Sequence, residues 1–128
     1  MQDDVDRAYT DVVAEVSQFL ETSVERAVEA GVRRDGIVVD PGIGFGKNLA
    51  HNLALLGSLD RLGPPDRPVL VGTSRKSFLG VLTGRAVTDR LAGTVASVTA
   101  AVLKGADIVR VHDVASAVDA CRVAEALR

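Results

Sequence analysis

Three short stretches hold the residues able to do chemistry: Asp40 in VVDPGIGFGKN, the run Ser74-Arg75-Lys76-Ser77 after VLVGT, and Arg110 with His112 in IVRVHD. Each follows a brief apolar run, so each places its functional groups at the carboxyl end of a buried strand. A carboxylate such as Asp40 offers paired acceptors to a donor edge. Two cations beside two hydroxyls suit an anion or a carbonyl-rich heterocycle. Arg110 and His112 lie two apart in a strand and therefore share a face, where two donors can hold one polyanion. Taken singly, each stretch has a plainer explanation. Asp-Pro is an ordinary turn former, SRKS could be a solvated loop, and a lone histidine is more often structural than catalytic.

The glycines after Asp40 tilt that balance. Gly42, Gly44 and Gly46 stand at every second position, which strips Cβ atoms from a loop and lets a flat ligand or another backbone come close. Neither nucleotide motif fits them. A P-loop needs glycine where Pro41 stands, and the spacing G-x-G-x-G departs from the dinucleotide fingerprint.

The elements that must position these groups follow from periodicity. Val5, Tyr9, Val12, Val16, Phe19, Leu20, Val24 and Ala27 recur at steps of three and four, predicting a long helix that ends near Gly31. A strand is expected at IVVD from Ile37. Asn48 can cap the next helix, whose Leu49, Leu53, Leu56 and Leu59 share a face before Gly63-Pro64-Pro65 stops it. VLVG at 69–72 reads as a second strand. Thr88 is expected to cap a helix bearing Leu91, Val95, Val98 and Val102, closed at Gly105. DIVRV at 107–111 reads as a third strand, and Val114, Val118, Cys121 and Leu127 mark a last helix. Alternating helices and strands that are apolar on both faces predict a parallel sheet. Pattern alone leaves a doubly wound sheet and a segment of a (β/α)₈ barrel both open. In either, the strand ends lie at one edge and their polar groups converge.

Composition bounds the setting. The 128 residues suit one domain, expected over 1–128, with 47% hydrophobic and 25% charged residues. A net charge of −2 gives no reason to expect nucleic acid or a membrane surface as partner. The single cysteine, Cys121, excludes an internal disulfide or a cysteine-rich metal site, fits a reducing compartment and is expected in the core. No secretory signal and no run long enough to span a membrane is visible, so a cytoplasmic protein is expected. His51 is read as a surface residue, and Asp3, Asp4 and Glu25 as caps or solvated face.

DPGIGFGKN with HNLALL, then VLVGTSRKSFLG, then the GR, DRLAGT and GADIVRVHDV segments resemble dihydropteroate synthases, in that order and spacing. The resemblance runs from the first helix to the last residue and makes Met1 correspond to an internal family position. It implies an α/β fold, a partial (β/α)₈ TIM barrel with the last three parallel strands and about four helices. It implies a transferase of folate biosynthesis that joins 6-hydroxymethyl-7,8-dihydropterin pyrophosphate to p-aminobenzoate, with Mg²⁺ assisting. By the same resemblance Asp40, Lys76 and Arg110 bind the pterin, and Arg110 with His112 holds the leaving pyrophosphate. Phe45, Lys76 and Ser77 form the p-aminobenzoate subsite. Lys76, Arg110 and His112 are the expected catalytic groups.

Family motifs resembling NVTPDSFSDGG and INDVSG, which supply the metal ligand and further pterin contacts, are not found in this chain. No metal ligand is therefore expected within it, and little synthase activity is expected of it alone. Unpaired strand edges and an open apolar lumen predict a homodimer or larger assembly. The alternatives are a non-catalytic pterin- or anion-binding module, a half-enzyme that needs a separate amino-terminal half, and a related pterin-binding methyltransferase.

Overall fold

The structure is a computed structural model and describes residues 9–128. Helix α1 (Val12–Glu29) buries Val12, Val16, Leu20 and Val24, one residue per turn. Asp11 caps it by accepting the Ala14 N–H at 3.1 Å. Val5, expected on this stripe, lies outside the described residues, and Phe19 points outward instead.

The strands are shorter than their apolar runs. Strands β1 (Leu70–Val71) and β2 (Ile108–Val109) pair in parallel, Leu70 opposite Ile108 and Val71 opposite Val109. The expected strand at Ile37 narrows to one parallel bridge from Val39 to Val69. There the Val39 N–H donates to Pro68 O at 2.9 Å and the Leu70 N–H to Val39 O at 2.8 Å. β1 is therefore central, with the Val39 segment and β2 on either side. Val39, Val69 and Val71 are buried, whereas Val38 and Ile108, on the opposite face, are 45% and 41% exposed. Burial on both faces was expected; only one face is covered by helices.

Helix α2 (Leu49–Leu56) begins as the sequence suggests. Asn48 Oδ1 accepts the His51 N–H at 2.9 Å, and His51 Nδ1 accepts the Asn48 N–H at 3.2 Å. His51 is therefore half-buried and closes a cap, packing edge-on to Tyr9 at 4.8 Å, rather than standing free on the surface. Leu59 leaves the helix for a 3₁₀ turn, Leu59–Arg61. Helix α3 (Ser77–Thr83) was not expected; it buries Phe78 and Leu79.

Helix α4 (Leu91–Leu103) starts without a side-chain cap. Arg90 occupies that position, and Thr88 lies inside the preceding 3₁₀ turn, Val87–Asp89, which takes it off the helix axis. Helix α5 (Val114–Leu127) packs on α4 through Ala117, Ala120 and Ala124, which are small enough for close approach. Val114, Val118 and Leu127 face outward, and Cys121 is a half-buried free thiol rather than a core residue.

Ions close the amino ends of the strands. Arg34 grips Asp66 through Nε at 2.7 Å and Nη2 at 2.8 Å, and Glu25 through Nη1 at 3.1 Å. Arg67 Nη1 donates to the carbonyls of Arg34 and Ile37. Glu25, read as solvated face, is exposed but paired. Among the described residues, no helix is long and apolar enough to cross a membrane.

Candidate active site at the carboxyl strand ends

The polar residues that end each apolar run meet at one edge. Asp40 follows the Val39 bridge and turns its Oδ1 back to accept the Gly42 N–H at 2.8 Å. Its Oδ2 faces Arg110 Nη1 at 3.8 Å. Arg110 leaves β2 across Gly72, where an added Cβ would sit 2.8 Å from Nη2. Only a residue without a side chain lets the guanidinium lie on the sheet there.

Lys76 reaches back to the glycine loop. Its Nζ donates to the Ile43 carbonyl and lies 4.8 Å from the centroid of the Phe45 ring. Gly44 makes room for the stem: at φ +86, a Cβ on it would meet Lys76 Cδ at 3.1 Å. Burial pushes the Lys76 amine below its ordinary 10.5; Asp40 opposes that shift, while Arg110 and Lys47 add to it. The lysine is thus partly stripped of water and faces one carboxylate and two further cations. Such a cation gains from an anionic or carbonyl ligand.

The loop after β1 is tied to the loop after β2 by consecutive residues. Ser74 Oγ lies 2.7 Å from His112 Nδ1 and also accepts the His112 N–H at 3.2 Å. Arg75 Nη2 donates to both oxygens of Asp113 at 3.2 Å. Arg75 itself adopts φ +59, outside the usual range for a residue with a side chain, at a cost of about 1 kcal/mol. Three contacts hold it there: the Asp113 pair, its N–H to Thr94 Oγ1 at 3.1 Å, and Arg90 Nη1 to its carbonyl at 3.0 Å.

Gly72, Ser74, Lys76, Arg110, Val111 and His112 line a cavity of about 220 Å³. Asp40 lines a second cavity, about 240 Å³ with Pro41, Gly42, Lys47 and part of α1, and faces Arg110 of the first at 3.8 Å. Phe45 is about half exposed beside the Lys76 amine. Ser77 opens α3 next to Lys76; it is exposed, and no hydrogen bond of its hydroxyl links it to the group. Of the six residues expected at the site, Asp40 meets Arg110 and Lys76 meets Phe45 by contact, His112 shares the cavity wall with Lys76 and Arg110, and Ser77 is linked only by adjacency.

Several supporting residues were not singled out from sequence. Asn52, 4% exposed on α2, accepts the Gly44 N–H at 2.9 Å and holds the loop that Lys76 contacts. Thr94, Asp113 and Gly72 serve similarly. An asparagine set among the leucines of HNLALL is the one signal that could have been read, since a polar group on an apolar face needs a partner.

The family match accords with this arrangement: residues 1–112 fit the model of the family described as pterin binding enzyme. The chain belongs to the pterin-binding enzyme family. It is 44% identical over 118 residues to dihydropteroate synthase of Escherichia coli K12, covering 92% of this chain and 42% of that protein. It is 46% identical over 123 residues to the enzyme of Neisseria meningitidis serogroup B, covering 93% and 43%. Among solved structures, the Xanthomonas albilineans dihydropteroate synthase with 4-aminobenzoic acid superposes with a TM-score of 0.91 at 46% identity, over 99% of this chain and 46% of that one. The same enzyme in complex with 7,8-dihydropteroate gives a TM-score of 0.90 at 47% identity, over 94% and 47%. The chain thus spans less than half the length of the curated relatives it matches.

Proposed function

We propose that this chain forms one wall of a dihydropteroate synthase active site, contributing three strand ends to a (β/α)₈ barrel whose remainder completes the site. The observation that carries the proposal is the convergence of Asp40, Lys76 and Arg110 from three neighbouring strand ends. Such convergence is where barrel enzymes place catalysis.

The reaction breaks a C–O bond to pyrophosphate and forms a C–N bond to the arylamine of p-aminobenzoate, which then loses its proton. Arg110 and His112 receive the charge that leaves with pyrophosphate. Asp40 accepts the N–H edge of the pterin and steadies the ring as its exocyclic carbon becomes electron-poor. Lys76, short of water, donates to the pterin carbonyl, and its neighbour Phe45 packs on the aminobenzoate ring, with Ser77 beside the carboxylate. No covalent nucleophile is needed; the rate comes from placement and fixed charge.

The proposed enzyme uses Mg²⁺. Among the described residues no group of three or more His, Cys, Asp or Glu could hold a metal ion, and its ligands would come from the remainder of the barrel. A cytoplasmic setting belongs to the same proposal, supported by the single free cysteine. So does a homodimer or larger assembly, supported by the uncovered Val38 and Ile108; a monomer in light scattering at micromolar concentration overturns that part.

The test is reconstitution. The chain alone, given both substrates and magnesium, is expected to turn over little. Mixed with the amino-terminal portion of a family member, it is expected to regain synthase activity. Binding of pyrophosphate without regained activity would favour the non-catalytic module, and whole-enzyme turnover by the chain alone would overturn the one-wall reading.

A further inference from the structure

We infer that Ser74 is a positioning residue for His112, its hydroxyl holding the imidazole as the Nε2–H tautomer so that the ring keeps a donor for an anion in the strand-end cavity. Ser74 is buried, with Oγ 2.7 Å from His112 Nδ1, and it accepts the His112 backbone N–H at 3.2 Å. A serine hydroxyl has one proton to give and two lone pairs to receive. Among the described residues, the acceptor within reach of that proton is His112 Nδ1. Were Nδ1 to carry the ring proton, the hydroxyl would have no partner in the protein, which buried polar groups avoid. Satisfying Ser74 therefore assigns its proton to Nδ1 and the ring proton to Nε2.

The pairing is held in register. Arg75, the next residue, binds both oxygens of Asp113, the residue after His112. Two consecutive side chains of one loop thus grip two consecutive residues of the other, and the imidazole cannot turn without breaking this clasp. In its neutral form the ring adds a directed donor beside Lys76 and Arg110 without adding a third positive charge. A phosphate or pyrophosphate oxygen is the ligand class such a donor suits. Only this last step rests on the anion-site reading proposed above.

The experiment is a two-bond proton–nitrogen correlation spectrum of the uniformly labelled chain at about pH 8.5, where an ordinary imidazole is neutral. The other histidine, His51, accepts the Asn48 N–H at Nδ1 and serves as an internal Nε2–H reference. The wild-type His112 is expected to match that reference pattern, Ser74→Ala to shift it toward a mixture of tautomers, and Ser74→Thr to restore it. A wild-type His112 bearing its proton on Nδ1, or a Ser74→Ala spectrum unchanged at His112, overturns the inference. If Ser74→Ala does not fold, the wild-type spectrum still decides. Pyrophosphate is then added as the probe. Movement of the His112 signals supports both readings; an Nε2–H ring indifferent to pyrophosphate supports the role of Ser74 and overturns the anion site instead.

Discussion

Two arginine–carboxylate pairs sit at opposite ends of the same short strands, and they are built differently. At the amino end Arg34 meets Asp66 in a two-point bond at 2.7 and 2.8 Å, with Glu25 adding a third contact. These groups satisfy one another: the Arg34 bond lowers the Asp66 carboxyl from 3.8 to about 2. At the carboxyl end Arg110 and Asp40 stand 3.8 Å apart, and the Arg110 side chain remains 60% exposed. Beside them Lys76 bears a desolvation that its neighbours do not repay. The first pair is finished as folded. The second leaves donors and acceptors unspent, which is what distinguishes a binding surface from a brace.

Substitutions should separate the two ends. The largest expected effect is that of Lys76→Met or Arg110→Met on the reconstituted synthase, a fall in rate of about 100-fold, the scale for losing one preorganised donor. Neither should lower Tm, whereas Arg34→Met should lower Tm and leave pyrophosphate affinity unchanged. A loss of pyrophosphate affinity in Arg34→Met equal to that in Arg110→Met would break the comparison.

Gly72→Ala comes next, because its Cβ would displace the Arg110 guanidinium. Pyrophosphate affinity by calorimetry should fall about tenfold, or about 1.4 kcal/mol. Unchanged affinity would mean that Arg110 does not need its seat on the sheet.

The amino-end pair predicts an acid limb. A carboxyl whose folded value lies below its unfolded one contributes stability above the unfolded value, lost as pH falls through the folded one. Denaturant titrations should therefore show stability declining between about pH 4 and pH 2, with Asp66→Asn flattening that decline. A decline equally steep in the variant would assign it to other carboxylates.

Smallest and most local is the titration of Lys76. Its folded value lies below 10.5, so the charged amine costs stability at neutral pH, and the cost eases as pH rises toward the unfolded value. Acylation of Lys76, followed by mass spectrometry, should reach its midpoint below 10.5. A midpoint at the ordinary value would show that the amine is better solvated than its place beside Phe45 and Ile43 implies.

Much of this was legible in the sequence, for a definable reason. Asp40, Lys76 and Arg110 each end an apolar run, and parallel strands gather their ends whatever the remaining topology. The extent of the strands was less legible, because IVV looks alike whether its outer face is covered or, as at Val38, open. Helix α3 was missed because seven residues span too few turns to show a period. The buried face of α5 was misplaced because alanine looks neutral by hydropathy, yet it decides how closely two helices approach; the bulkier Val114 and Val118 were left outside. Gly72, Asn52 and Thr94 act only through contacts between distant segments, and no local pattern announces them.

The left-handed turn at Arg75 has a wider consequence. Because it reverses the backbone for a single residue, three successive side chains depart to three destinations: Ser74 to an imidazole, Arg75 to a carboxylate, and Lys76 to the glycine loop. That segment acts as a junction whose wiring depends on residue count. Inserting one residue between Thr73 and Lys76 would reassign every route at once and scatter the pocket's charges, while the sheet beneath kept its pairing.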